Sequence, residues 1–220
     1  MISHIEKNGF LRFTMIGGWD IRTLLGQAVV VVAENGKRFH GVIGSKPPHL
    51  SSIEERKKVV QVQDMYIDCG FSSVTDAVDN GINIGTVGTL YDPFVEFPNG
   101  MIRGKAFDDR TGCNVLIQII NLLDMKTPPK DTILFNFAVQ EEVGARGAVT
   151  GAYTLKPTMA VAIENTTAAD VPGIPNSQKV TILGKGPAIT MADRGLISSP
   201  QVNKRLIANA EMKKIPYQIK

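Results

Sequence analysis

A chain of 220 residues that is 43% hydrophobic and 20% charged has the apolar content to bury a core, which excludes a disordered polymer and a coiled coil. Its formal net charge of +3 is spread out, with only short basic runs such as Arg56-Lys57-Lys58 and Lys213-Lys214, so no nucleic-acid partner is expected. No apolar run approaches the roughly 20 residues that cross a bilayer, and Met1-Ile2-Ser3-His4 lacks the basic and apolar regions of a secretory leader, so a cytoplasmic protein with no membrane partner is expected.

The first hundred residues read as β-rich. Residues 2–5 and 10–16 flank Asn8-Gly9, a dipeptide suited to the positive φ angles of a type I′ hairpin turn. Residues 28–33 and 38–43 flank Glu34-Asn35-Gly36-Lys37 as a second hairpin, and Gly41 and Gly44 suggest a bulge or bend of the kind small barrels use at corners. Strands are expected at 59–62, 65–69, 87–91 and around Val95, with a short helix near 72–80.

Past Met101 the period changes. Val115, Leu116, Ile119, Ile120 and Leu123 share one face of a helix predicted over 110–125, whereas residues 133–139 form a short apolar run of the buried-strand kind. A helix over 145–155 ends at Lys156-Pro157, a second buried strand covers 159–163, and a last helix over 200–214 stops before Pro216, with a strand beginning at Tyr217. Strands alternating with helices predict an α/β layer with a mostly parallel sheet. The chain begins within one strand and ends within another, so it is expected to be a segment of something longer. Cys69 and Cys113 form no CxxC pair and read as buried or half-buried thiols.

Three acidic clusters stand where these elements end: Asp108-Asp109, Glu141-Glu142 and Glu164. In open α/β sheets, sites form beyond the carboxyl ends of the strands. Glu141-Glu142 follow the 133–139 run, Glu164 follows 159–163, and Asp108-Asp109 precede the helix near Arg110, so the three loops can converge. Carboxylates in an apolar setting are costly unless a cation binds them, and hard oxygens with one or two imidazoles suit zinc, cobalt or manganese. Each cluster alone also has a plain reading: Asp108 or Asp109 as a helix cap, Glu141 or Glu142 as first-turn acids, Glu164 as a solvated side chain. Two adjacent pairs, with glycines at 104, 112, 144 and 147, favour a site. His4, His40 and His49 lie away from these clusters in sequence and are read as surface or packed side chains, and Trp19 as core or interface packing.

The block Gly104-Lys105-Ala106-Phe107-Asp108-Asp109-Arg110-Thr111-Gly112-Cys113 and the block Val139-Gln140-Glu141-Glu142-Val143-Gly144-Ala145-Arg146-Gly147-Ala148 resemble two signatures of the M42 metallo-aminopeptidases, the family of glutamyl and tetrahedral aminopeptidases. Ile16-Gly17-Gly18-Trp19-Asp20, residues 42–50, Ala169-Asp170-Val171-Pro172-Gly173 and Gly184-Lys185-Gly186-Pro187 extend the likeness, in order, along the chain. The resemblance implies an α/β catalytic domain, made of a hairpin segment over 1–15 and an incomplete portion over 101–220, with a small β-barrel-like dimerisation domain inserted over 16–100. It implies a peptide substrate, two divalent metal ions of zinc or cobalt type, and a homo-oligomer from dimer to dodecamer. Asp108 would bridge the two ions and be followed by Asp109 across a cis peptide. Glu141 would be the general base, with Glu142 on one ion and Glu164 on the other. The same resemblance implies a metal-binding His in a His-x-Asp block upstream of Met1 and another beyond a Gly-Gly-Thr-Asp-Ala block downstream of Lys220. Neither block is in these 220 residues, so a chain truncated at both ends with weakened metal binding is expected. The alternative is a noncatalytic subunit or remnant that associates through the β-rich domain.

Overall fold

Six strands within the first ninety residues build one sheet: β1 (Ile2–Ile5), β2 (Leu11–Phe13), β3 (Ala28–Val32), β4 (Arg38–Ser45), β5 (Met65–Asp68) and β6 (Val87–Leu90). They pair antiparallel throughout, in the order β1-β2-β5-β4-β3-β6. The computed structural model describes residues 1–124 and 126–220. Within it, chain contacts define two compact units, Met1–Phe107 with Leu116–Val161, and Asp108–Val115 with Ala162–Lys220.

The sheet curls. The Ile2 N–H donates to the Thr86 carbonyl at 2.8 Å and the Gly85 N–H donates to the Ile2 carbonyl at 2.8 Å, so the β1 edge meets the approach to β6 through two hydrogen bonds, without a ladder between those strands. Inside the curl, Ile2, Leu11, Val31, Met65 and Ile82 are sealed from solvent, packed with Leu24, Val29, Ile43, Ile67 and Phe71. Each such side chain contributes about 1.5–3 kcal/mol by leaving water. A four-residue helix, α1 (Ile53–Arg56), precedes β5, and α2 (Val74–Asp79) buries Ala77 in the same core.

Both hairpins form where the Asn-Gly signals stand. The Gly9 N–H donates to the Glu6 carbonyl and the Gly36 N–H to the Ala33 carbonyl, both at 2.8 Å. Only the glycines take positive φ, +86° and +82°. Each is a turn closed by one left-handed glycine, at Asn8-Gly9 in place of the predicted type I′ turn, and the longer loop relieves the asparagine of a left-handed conformation. Nor is there a bulge at Gly41 or Gly44, where the β3–β4 and β4–β5 registers run unbroken. Glycine is needed there for close approach. A Cβ on Gly41 would stand 2.7 Å from the Asp68 carbonyl oxygen and from Cys69 Sγ, and one on Gly44 would stand 2.9 Å from the Tyr66 ring. The register shift falls between Ile2 and His4 instead. Residues 59–62 make no strand; a 3-10 turn, Val62–Asp64, leads into β5.

A short hairpin, β7 (Val95–Glu96) with β8 (Ile102–Arg103), leads to α3 (Phe107–Leu122). The expected end of that helix, residue 125, lies outside the described residues. The helix predicted over 145–155 is α4 (Arg146–Leu155). The two predicted buried strands between these elements and beyond are corrected by the structure: residues 133–139 and 159–163 join no ladder, and Leu134, Phe137 and Val161 are 44%, 44% and 53% exposed. An apolar run has the composition of a strand, but a strand exists only when a neighbour accepts its hydrogen bonds. The mostly parallel sheet and the barrel are both corrected in consequence. The large sheet is antiparallel and curled but not closed.

In the second unit, α5 (Pro200–Lys213) starts on Ser199, with Pro200 in its first turn. β9 (Ala188–Ile189) and β10 (Gln218–Ile219) make the one parallel ladder among the described residues. Gln218 secures it with its side chain. Its Oε1 accepts from the Ile182 N–H at 2.7 Å, and its Nε2 donates to the carbonyls of Ile182 at 3.0 Å and Gly186 at 2.9 Å. Among the described residues, no helix is long and apolar enough to cross a membrane.

Candidate metal centre

The start of α3 is not helical. Asp108 (φ −85°, ψ 109°) and Asp109 (φ −120°, ψ 57°) are both non-helical and are joined by a cis peptide bond. The regular helix begins after them, and Asp109 caps it. Its Oδ1 accepts the Gly112 N–H at 2.7 Å, satisfying one of the free donors of the first turn. The capping role and the metal-site role considered for this pair are thus not exclusive.

Within the same unit, one carboxylate oxygen each from Asp108, Asp109 and Glu164 lie within 4.8 Å of one another. Partial burial pushes the Glu164 carboxyl up to about 7. The negative charges of Asp109 and Asp108 add to that rise, and the Asn165 N–H, donating to Glu164 Oε1 at 3.0 Å, works against it. Three carboxylates so close repel one another in the ionised state, and a cation among them removes that penalty. All three donors are hard oxygens of the kind that divalent ions take, so the residues present fit such an ion.

Glu141 and Glu142 sit in the other unit, on a tight turn between Gln140 and Arg146. The turn is built by non-glycine residues in left-handed conformations, Gln140 (φ 58°) and Ala145 (φ 53°), together with Gly144 (φ 117°). The Glu141 carbonyl accepts from the N–H groups of Gly144 at 2.9 Å and Ala145 at 2.8 Å, and the Val139 carbonyl accepts from Gly147 at 2.8 Å. Gly147 has no room for a side chain, because a Cβ there would overlap the Val139 backbone nitrogen and lie 2.5 Å from its carbonyl oxygen. Both glutamates are exposed on this turn.

The histidines have other surroundings. His4 is 4.0 Å from Glu6, His40 stands edge-on to Tyr91 with ring centroids 4.7 Å apart, and His49 lies exposed in the Pro48–Leu50 turn. Trp19 is 47% exposed and donates its indole N–H to the Ile16 carbonyl at 3.1 Å, so it is no part of the core. Sequence reasoning had Asp109 in the converging cluster and as a possible cap but gave it no ligand role, and counted Gly112 only as a flanking glycine. The Asp-x-x-Gly spacing at a helix start was the available signal for both.

A profile of the M42 glutamyl aminopeptidase family matches residues 1–220. A putative aminopeptidase of Acetivibrio thermocellus is 37% identical over the whole chain, which covers 62% of it. A TET aminopeptidase from a marine sediment archaeon of the Thaumarchaeota superposes with a TM-score of 0.90 at 40% identity, over 100% of this chain and 61% of that one. A Pyrococcus horikoshii TET peptidase that can assemble into a tetrahedron or a large octahedral shell superposes with a TM-score of 0.79 at 33% identity, over 99% of this chain and 63% of that one. The chain therefore spans less than two thirds of the length of each of these relatives.

Proposed function

As a member of the M42 glutamyl aminopeptidase family, to which the match along its whole length assigns it, this chain, we propose, contributes the carboxylates of a two-metal centre that removes N-terminal residues from peptides. Asp108 and Glu164, with Asp109 beside them, would hold divalent cations of the zinc or cobalt type on their oxygens, and the family resemblance of its block makes Glu142 a further candidate donor. Bound there, such ions would supply Lewis acidity, polarising the scissile carbonyl and acidifying water. By the family resemblance of its block, Glu141 would be the base that takes a proton from the attacking water and delivers it to the leaving amine. The turn between Gln140 and Arg146 fixes Glu141 relative to Glu142, so base and ligand share one rigid backbone segment.

The observation that carries this reading is the gathering of Asp108, Asp109 and Glu164 oxygens within 4.8 Å in a chain whose relatives are aminopeptidases. Association with further copies is part of the proposal, supported by the shells of the Pyrococcus horikoshii relative; the β-rich region is the candidate contact. Calorimetric titration of the 220-residue chain with cobalt(II) alone, alongside Asp108→Asn, tests the centre. Wild type should bind, and Asp108→Asn should bind at least about a hundredfold more weakly, the upper end of what even an outer partner of a metal site costs. Turnover of aminoacyl chromogenic substrates should disappear in Glu141→Gln while cobalt binding persists. Equal cobalt binding by wild type and Asp108→Asn would exclude the assignment.

A further inference from the structure

We infer that Gly112 is a positioning residue, whose missing side chain sets where the Asp109 carboxylate stands among the oxygens of Asp108 and Glu164. The inference rests on the proposed metal centre and adds to it the device that fixes one of its carboxylates. An aspartate at a helix N-cap ordinarily reaches the amide three residues on, whatever residue stands there, and many helices carry a glutamate at that third position. A Cβ at the third position is therefore compatible with capping in general. It is incompatible with the pose seen here. The Asp109 carboxylate lies over the Gly112 Cα, where a Cβ would overlap Oδ2 and stand 2.8 Å from both Cγ and Oδ1. Gly112 is buried, it donates its N–H to Oδ1 at 2.7 Å, and its φ is not in the left-handed region. The backbone thus gives no reason for glycine at this place in α3; the carboxylate above it does.

This separates Gly112 from a glycine that serves the fold. At Gly147 the obstacle is the Val139 backbone, which cannot step aside. At Gly112 the obstacle is the end of a side chain that can rotate. Alanine at 112 should leave the helix intact, and even favour it, since alanine is the better helix former. The carboxylate would turn away from Asp108 and Glu164 while remaining able to reach the 112 amide from another rotamer.

Gly112→Ala in the 220-residue chain provides the test, with three readouts. Its thermal midpoint without metal should equal or exceed that of wild type. Its affinity for cobalt(II) should fall about ten- to a hundredfold, the range for lost outer-sphere support, with a changed d–d absorption spectrum. The Asp109 χ1 angle, from three-bond couplings in the metal-free chain, should differ between variant and wild type. A lower midpoint, unaltered cobalt affinity or an unaltered χ1 would each overturn the positioning role. Because χ1 is read without metal, it decides that role even where cobalt fails to bind wild type, a result that would instead remove the proposed centre.

Discussion

Between Ile2 and Ile82, buried apolar side chains interlock inside a curled sheet, whereas from Ala162 to Lys220 the buried residues are Thr181 and Asn203. Each of these polar residues holds backbone: Thr181 Oγ1 donates to the Thr167 carbonyl, and Asn203 Nδ2 to the Thr190 carbonyl at 3.3 Å. Gln218 does the same for Ile182 and Gly186. The first region rests on area removed from water, which is non-directional and spread over many residues. The second depends on a few directional bonds. Of the gathered carboxylates, Glu164 stands in the second region and Asp108 and Asp109 in the Asp108–Val115 segment of the same unit; geometry set by hydrogen bonds one at a time suits a site whose oxygens must be placed to a fraction of an ångström.

The sharpest way to break this comparison is to remove volume from the first region and bonds from the second. Leu11 is fully buried between β1 and β5, so Leu11→Ala should cost about 2–5 kcal/mol, measured by chemical denaturation. Gln218→Ala should cost less, about 1–3 kcal/mol, through one donor and two acceptors left without their partner. The two should also differ in reach. Native-state hydrogen exchange should show the Ile182 amide opening sooner in Gln218→Ala, with the amides of β3 unchanged, whereas Leu11→Ala should lower the protection of the slowest amides throughout the sheet. A Leu11→Ala cost below that of Gln218→Ala would mean that the apolar core is not what holds the first region.

The two regions were also unequally legible. The hairpins could be read because Asn8-Gly9 and Asn35-Gly36 punctuate apolar runs, and turn chemistry is local. The strand expected from Tyr217 is β10, but β9 could not be read, since two residues carry no period, and neither could the pairing, which joins positions far apart in the chain. Residues 133–139 and 159–163 were misread because composition reports a wish to be buried, while a ladder needs a partner. At the site, adjacent acids made Asp108-Asp109 and Glu141-Glu142 stand out at once. That Asp109 turns its carboxylate toward Glu164 depends on a non-helical backbone and a missing Cβ at Gly112. The left-handed Gln140 and Ala145 are types that rarely adopt that conformation, so only the structure reveals their turn.

The smallest effect separates charge from neutral polar bonding. In the first region Glu55 closes a capping box with Ser52. Its Oε2 accepts the Ser52 N–H at 2.6 Å, Ser52 Oγ accepts the Glu55 N–H at 3.2 Å, and Lys46 Nζ lies 3.2 Å from Oε1. These donors, the Ser52 backbone first and Lys46 next, hold the Glu55 carboxyl down at about 2 from an ordinary 4.5. The sign follows from proton binding: as pH falls below 4.5 the unfolded chain takes up a proton that the folded chain still refuses, so the contribution of the carboxylate is complete above that value and is lost on the way down to about 2. The side chain is exposed, and salt should weaken the effect further. Denaturation of wild type and Glu55→Gln should therefore show a small gap at neutral pH that narrows between pH 4.5 and 2. The gap between wild type and Gln218→Ala should hold steady across that same window, because a neutral amide bonded to neutral backbone has no proton to gain. A Gln218 gap that closes with acid would show that ionised groups, and not amide hydrogen bonds, carry the second region.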